Sequence, residues 1–313
     1  MTLLARTGLA AAGFCLALAP APSAQSLRAA GPPVRLVAEG AAPRWSPDGG
    51  RIAFTGPRYA GLWVAQADGS AARQLADWSA AGFGFSWSPD GGALLARPAR
   101  LDGRDRLNAV AVVDAATGEA DLLTDWRAAM PTLPQWTSAR TVVLGDGDAP
   151  AEALAVERPA SVEAGRGVER AAVVAGEDGL VVVEAGRAPR VVAQGRVLNP
   201  ALSPDGAFVA FEEMGGGLVV VRLDGSGRVD LGPGSRPSWS PDGRWVAAQV
   251  TTDDGEAFTS AEIVAVRADG SARVQLTSTP GRLETTPAWS PDGRRIAYAD
   301  LADGALYALP VSE

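Results

Sequence analysis

Apolar runs of four or five residues recur along the chain, each bounded by glycine, proline or aspartate. One set lies at 51–54 (RIAF), 93–96, 141–144, 208–211, 245–248 and 295–298 (RIAY). A second set follows at 61–65, 108–112, 217–221, 263–266 and 305–308. Rich in β-branched and aromatic residues, these runs read as strands. Asp-Gly-Ser comes next in three places, 68–70, 224–226 and 269–271. There Asp-Gly supplies the positive φ of a tight hairpin. A last strand closes each unit at 73–76, 121–124, 190–193, 228–231 or 274–277.

A repeated phrase introduces each unit. Trp-Ser-Pro-Asp-Gly stands at 45–49, 87–91, 239–243 and 289–293, and Leu202 replaces the tryptophan in a fifth copy. A sixth keeps Trp136 but loses the turn. Successive copies lie 42, 49, 66, 37 and 50 residues apart. Four antiparallel strands at that period predict β-propeller blades. With strands lettered a to d, Ser-Pro-Asp-Gly is the a–b turn, carrying Asp48, Asp90, Asp205, Asp242 and Asp292. Trp45, Trp87, Trp136, Trp239 and Trp289 are expected to wedge between neighbouring blades. The all-β reading is therefore a six-bladed propeller, with units at 43–76, 85–124, 134–193, 200–231, 237–277 and 287–309. Residues 33–38 match the d-strand pattern and are expected to complete the last blade and close the ring. The stretch 170–175 offers an extra strand, so seven blades is the alternative. Six is preferred because 134–193 supplies one clear c–d pair, at 180–183 and 190–193.

The copy at 287–298, Pro-Ala-Trp-Ser-Pro-Asp-Gly-Arg-Arg-Ile-Ala-Tyr, resembles the TolB-type propeller repeat, a WD40-like unit. The resemblance covers about residues 33–313. It implies a periplasmic protein whose propeller docks another protein. The amino-terminal α/β domain of that family has no counterpart in the few residues before the first strand. The same repeat forms the propeller of prolyl-oligopeptidase-type peptidases, but no G-x-S-x-G elbow occurs here.

Composition narrows the chemistry. The 313 residues contain no histidine, and all 28 basic residues are arginine. Ser-His-Asp and Cys-His catalysis, histidine metal sites and lysine Schiff bases are thereby excluded. Cys15 is the single cysteine, so no disulfide forms within the chain. The formal charge of −8 opposes a nucleic-acid surface. Residues 1–24 read as a secretory signal, with Arg6 before the apolar run 8–19 and cleavage expected after Ala24. Residues 25–32 read as a linker. The expected address is periplasmic or secreted, without a membrane span after cleavage.

The a–b and c–d turns share one face and are tight. The b–c and d–a connections share the other, which carries insertions at 98–106, 145–178 and 251–261. Elaborated loops on a rigid scaffold are where binding concentrates. Trp78 beside Asp77, and Trp126 between Asp125 and Arg127, break the repeat and open d–a connections on that face. They are the candidate partner contacts. The acidic residues of 146–178 lack the spacing of a calcium loop. Neither a metal, a cofactor nor a catalytic residue is assigned. The expectation is a non-enzymatic, monomeric scaffold that binds a protein or cell-wall partner. A carboxylate- or metal-dependent hydrolase at the channel mouth, or a propeller serving a separately encoded enzyme, is the alternative.

Overall fold

The computed structural model describes residues 26–313 apart from 83, 131, 147–148, 158–169, 177 and 185–186. Seven sheets succeed one another along the chain, accompanied by one separate two-stranded hairpin. No α-helix occurs among the described residues, and none there is long and apolar enough to cross a membrane.

Four blades have the simple a–b–c–d order. Blade 1 comprises Ala41–Trp45, Arg51–Thr55, Leu62–Gln66 and Arg73–Ala76. Blade 2 comprises Ser86–Trp87, Ala93–Ala96, Ala111–Asp114 and Ala120–Leu122. Blade 5 comprises Val197–Leu202, Phe208–Glu213, Leu218–Arg222 and Val229–Gly232. Blade 6 comprises Ser235–Trp239, Trp245–Asp253, Phe258–Arg267 and Arg273–Gln275.

Blade 7 is built from both ends of the described chain. Glu284–Trp289, Arg295–Asp300 and Leu306–Ser312 are its inner strands, and Val34–Val37 pairs antiparallel with the third. The expected linker is not purely a linker. Arg28–Ala29 pairs with the far end of the same strand, placing Arg28 opposite Ser312.

The seventh blade corrects the preferred count of six. The unit read as 134–193 divides into two three-stranded sheets. Blade 3 is Gln135–Ser138, Thr141–Asp146 and Ala149–Ala155; blade 4 is Ala172–Ala175, Gly179–Val183 and Arg190–Gln194. Blade 3 supplies a, b and c, because Trp136 holds the repeat position on its first strand. Blade 4 supplies b, c and d. A Cβ on Gly225 would meet the Val192 carbonyl, just as one on Gly69 would meet Leu36 and one on Gly118 would meet Leu75 in the outermost strands of their neighbours. The stretch 145–178 is thus not one b–c insertion. It holds the third strand of one blade and the first of the next. Neither half-blade carries the full motif, which is why the repeat conceals the division.

The Ser-Pro-Asp-Gly turn earns its recurrence through one bond pattern. Ser46 Oγ donates to Asp48 at 2.5 Å, and the Arg51 N–H donates back to Ser46 Oγ at 2.9 Å. Asp48 also accepts the Gly50 N–H at 3.0 Å, and Gly49 adopts φ +70°. The serine–aspartate bond repeats at Ser88–Asp90, Ser203–Asp205, Ser240–Asp242 and Ser290–Asp292, each between 2.5 and 2.6 Å. These serines are buried, so each hydroxyl satisfies polar groups that water cannot reach.

The repeat tryptophans occupy the seams between blades. Trp45 Nε1 donates to the Ala288 carbonyl at 3.1 Å, Trp87 to Arg44 at 3.0 Å, Trp136 to Ser86 at 3.3 Å and Trp239 to Ala201 at 2.9 Å. In every case the acceptor immediately precedes the equivalent position of the preceding blade. Trp289 keeps its ring in the 6–7 seam, but its Nε1 has no partner among the described residues. Arg295 lies 4.4 Å over the Trp45 ring and also donates to the Ala67 carbonyl at 3.1 Å. Arg51 repeats this geometry over Trp87, at 4.9 Å, and donates to Gly91 at 2.8 Å. A planar cation that stacks and donates simultaneously suits arginine and not lysine.

Six apolar clusters occur among the described residues, and each fills one seam. Among the described residues no such cluster fills the 3–4 seam, where Val174 packs toward Gly145. There the Gln135 carboxamide donates to the Val173 carbonyl and accepts the Val173 N–H, and the Arg170 N–H donates to Thr137 O at 2.8 Å. Among the described residues, the edge of blade 4 formed by Ala172–Ala175 is met by this side chain.

Candidate interaction face

The b–c and d–a connections carry two projecting hairpins. The first is the separate sheet Ala99–Asp102 and Asp105–Asn108, rising from blade 2. Flanking d–a connections hold it on both sides. Ala99 N–H donates to Ala80 O at 2.9 Å, and Asn108 and Arg127 exchange two backbone bonds of 2.8 Å. The Arg100 guanidinium lies 4.5 Å over the Trp126 ring. The second hairpin is the extension of the b and c strands of blade 6, which remain paired out to Asp253 and Phe258.

The candidate contacts separate into two kinds. Trp126 lies half-buried beneath Arg100, while Asp125 and Arg127 are exposed. Arg127 bonds Glu152 of blade 3 at 2.9 Å. Trp78 is also half-buried but packs against the apolar cluster between blades 1 and 2, with Asp77 exposed beside it. The tryptophans therefore sit on adjacent connections of one face, and Trp78 has a packing role besides.

Sequence reasoning missed the exposed apolar residues. Eight large apolar side chains are exposed among the described residues. Five belong to this face: Leu101, Leu198, Met214, Phe258 and Leu301. Val34, Leu122 and Val191 lie on outermost strands, and none belongs to the a–b and c–d turns. A signal was present for two of them. Leu101 and Phe258 are lone apolar residues within charged insertions, a composition that neither a buried strand nor a solvated turn requires.

A charged network occupies the seam of blades 6 and 7 on the same side. Arg282 bonds Asp300 at 2.7 Å, Asp303 at 2.6 Å and the Tyr307 hydroxyl at 3.2 Å. Glu284 is 1% exposed and has one carboxylate oxygen without a partner among the described residues. Burial pushes its carboxyl up to about 7, the Thr277 hydroxyl opposes the shift, and neighbouring Glu262 adds to it. On the inner strands, burial brings Arg44 down to about 10, with Arg236 contributing. Arg44 remains a cation at neutral pH. No group of three or more acidic or cysteine side chains among the described residues could hold a metal ion. Asp148, Glu163, Glu169 and Glu177 of the acidic stretch lie outside them.

No family model matches the chain, and no curated protein matches it. Solved structures do. The Cps50 (Swd1) β-propeller domain of Myceliophteria thermophila is 13% identical with a TM-score of 0.66, covering 92% of this chain and 100% of that one. A chain of the mitotic checkpoint complex is 15% identical with a TM-score of 0.60, covering 98% of this chain and 99% of that one. At such identity the likeness is one of fold, a WD40-type β-propeller.

Proposed function

We propose that this protein is an exported, non-catalytic scaffold that binds a protein partner through its b–c and d–a face. One observation carries the reading. Five of the eight exposed large apolar side chains belong to that face, and none belongs to the opposite turns. Exposed apolar groups rimmed by charge favour a protein contact over a small polar ligand. Trp126, braced by Arg100 and flanked by Asp125 and Arg127, is an aromatic contact of that face, and Trp78 with Asp77 lies on the adjacent d–a connection. One neighbouring structure comes from a multi-protein complex, in keeping with a propeller used for docking. The raised carboxyl of Glu284 is sealed from solvent, which argues against an acid catalyst reaching a substrate there.

The signal-like segment 1–24 supports export to a periplasm or beyond, and the repeat phrase supports a TolB-type lineage. Cleavage is tested by sequencing the amino terminus of the secreted protein. A new terminus at Gln25 is expected, an intact Met1 would overturn cleavage, and absence of the protein from the envelope and secreted fractions would overturn export. Docking is tested by cross-linking and capture from an envelope extract, comparing the natural chain with Leu198→Asp/Met214→Asp. A control carries Ser226→Glu on the opposite face. Capture should fall with the first pair and persist in the control. Equal capture by all three would sink the reading.

A further inference from the structure

The two projecting hairpins carry opposite charge. The blade 2 hairpin displays Arg100, Arg104 and Arg106 against Asp102 and Asp105, a net +1 in a chain of net charge −8. The blade 6 hairpin displays Asp253, Asp254 and Glu256 with no cation, a net −3. All eight side chains are exposed. Each hairpin also presents one apolar residue to solvent, Leu101 at 75% and Phe258 at 43% exposure.

Their placement on the ring makes this self-complementary. Both are b–c connections, so they rise from one face. Blades 6 and 2 stand three steps apart, counted through blades 7 and 1, and so lie across the ring from one another. A two-fold axis lying in that face and passing through the 7–1 seam exchanges their positions. A second copy placed face to face about that axis sets each basic hairpin over the partner copy's acidic one. The contact occurs twice and closes, as an isologous interface requires.

We infer that the occupant of this face is a second copy of the chain, held by reciprocal contact between hairpins 99–108 and 253–258. The inference rests on the reading of the b–c and d–a face as the docking face, and it replaces the monomer expected from the sequence. Pre-organisation favours it. The blade 2 hairpin is tied to the connections on both sides and braced on Trp126, so little ordering accompanies docking.

Charge exchange tests it. Sedimentation of the full chain at roughly 50 mM salt should give twice the chain mass, weakening by about tenfold or more near 500 mM as the contacts are screened. In Arg104→Glu/Arg106→Glu both hairpins are acidic; in Asp253→Arg/Glu256→Arg both are basic. Asp254 is retained because its carboxylate accepts the N–H groups of Glu256 and Ala257. Each variant alone should be monomeric. Mixed in equal amounts they should form a heterodimer, a recovery that misfolded variants cannot produce. A natural chain that stays monomeric at low salt, or a dimer indifferent to both exchanges, overturns the inference. If Leu198→Asp/Met214→Asp still loses capture of another protein in that case, the docking face stands and only its occupant changes.

Discussion

The carboxamide of Gln135 bonds both the N–H and the carbonyl of Val173, as the facing residue of a paired strand would, on the edge strand of blade 4 among the described residues. Val173 is buried, so removing the carboxamide leaves two backbone groups without water or partner. Gln135→Ala is expected to cost about 1–3 kcal/mol in denaturant unfolding. Hydrogen exchange at the Val173 amide should accelerate more than at Val182, which lies within the same sheet. Gln135→Glu keeps the acceptor for the Val173 N–H but sets a carboxylate oxygen against the Val173 carbonyl, so it should not recover the loss.

Seam arginines combine stacking with directed donation. Arg51→Lys and Arg295→Lys preserve charge but lose the flat guanidinium over Trp87 and Trp45. Each should lower stability by ~0.5–1.5 kcal/mol, measured by thermal unfolding. Exposed Arg35→Lys should change it little.

The Ser-Pro-Asp-Gly turns predict acid sensitivity. The serine hydroxyl and a backbone N–H hold Asp48 and Asp205 below the ordinary value of 3.8. The unfolded chain therefore takes up these protons first as pH falls. The stabilisation is fully present above about pH 4 and is lost below it. Ser46→Ala/Ser203→Ala should weaken the fold at neutral pH and flatten the stability curve below pH 4.

Glu284 has the opposite sign. Its carboxyl titrates near 7 in the fold against an ordinary 4.5, so the native state binds the proton more tightly. Stability is greatest below about 4.5 and declines as pH rises toward 7. Glu284→Gln should remove that decline and stabilise the protein at pH 8 by ~1–3 kcal/mol. Unfolding across pH 4 to 8 measures both slopes. An unchanged profile in this variant would count against the raised carboxyl.

Legibility followed locality. The turns at 46–49 and 290–293 are self-contained bond patterns within a few residues, so the phrase that specifies them is visible in the chain. Ring closure by Val34–Val37 was legible for the same reason, because an unpartnered d-strand pattern preceded the first repeat. Blades 3 and 4 were not. Their division depends on which strand Ala172–Ala175 pairs with, a long-range choice that no local phrase records. The candidate face was half visible. Trp126 breaks the repeat pattern, whereas Leu198, Met214 and Leu301 sit at strand ends where an apolar residue reads as core.

Closed propellers are usually imagined as opening where the two ends of the chain meet. Here that join is the better sealed, because the 7–1 seam has its tryptophan, its stacked arginine and an apolar filling. The seam that the described residues bridge chiefly by polar bonds lies at blades 3 and 4, remote from both ends. Polar bonds exchange readily with water, while apolar burial does not. Hydrogen exchange under native conditions should therefore be faster at the Arg170 amide, which bonds Thr137 across the 3–4 seam, than at the Gly40 amide, which bonds Gly304 at the join. The ring then loosens first between blades 3 and 4 while the join of its two ends stays closed, a clasp whose hinge is at the termini.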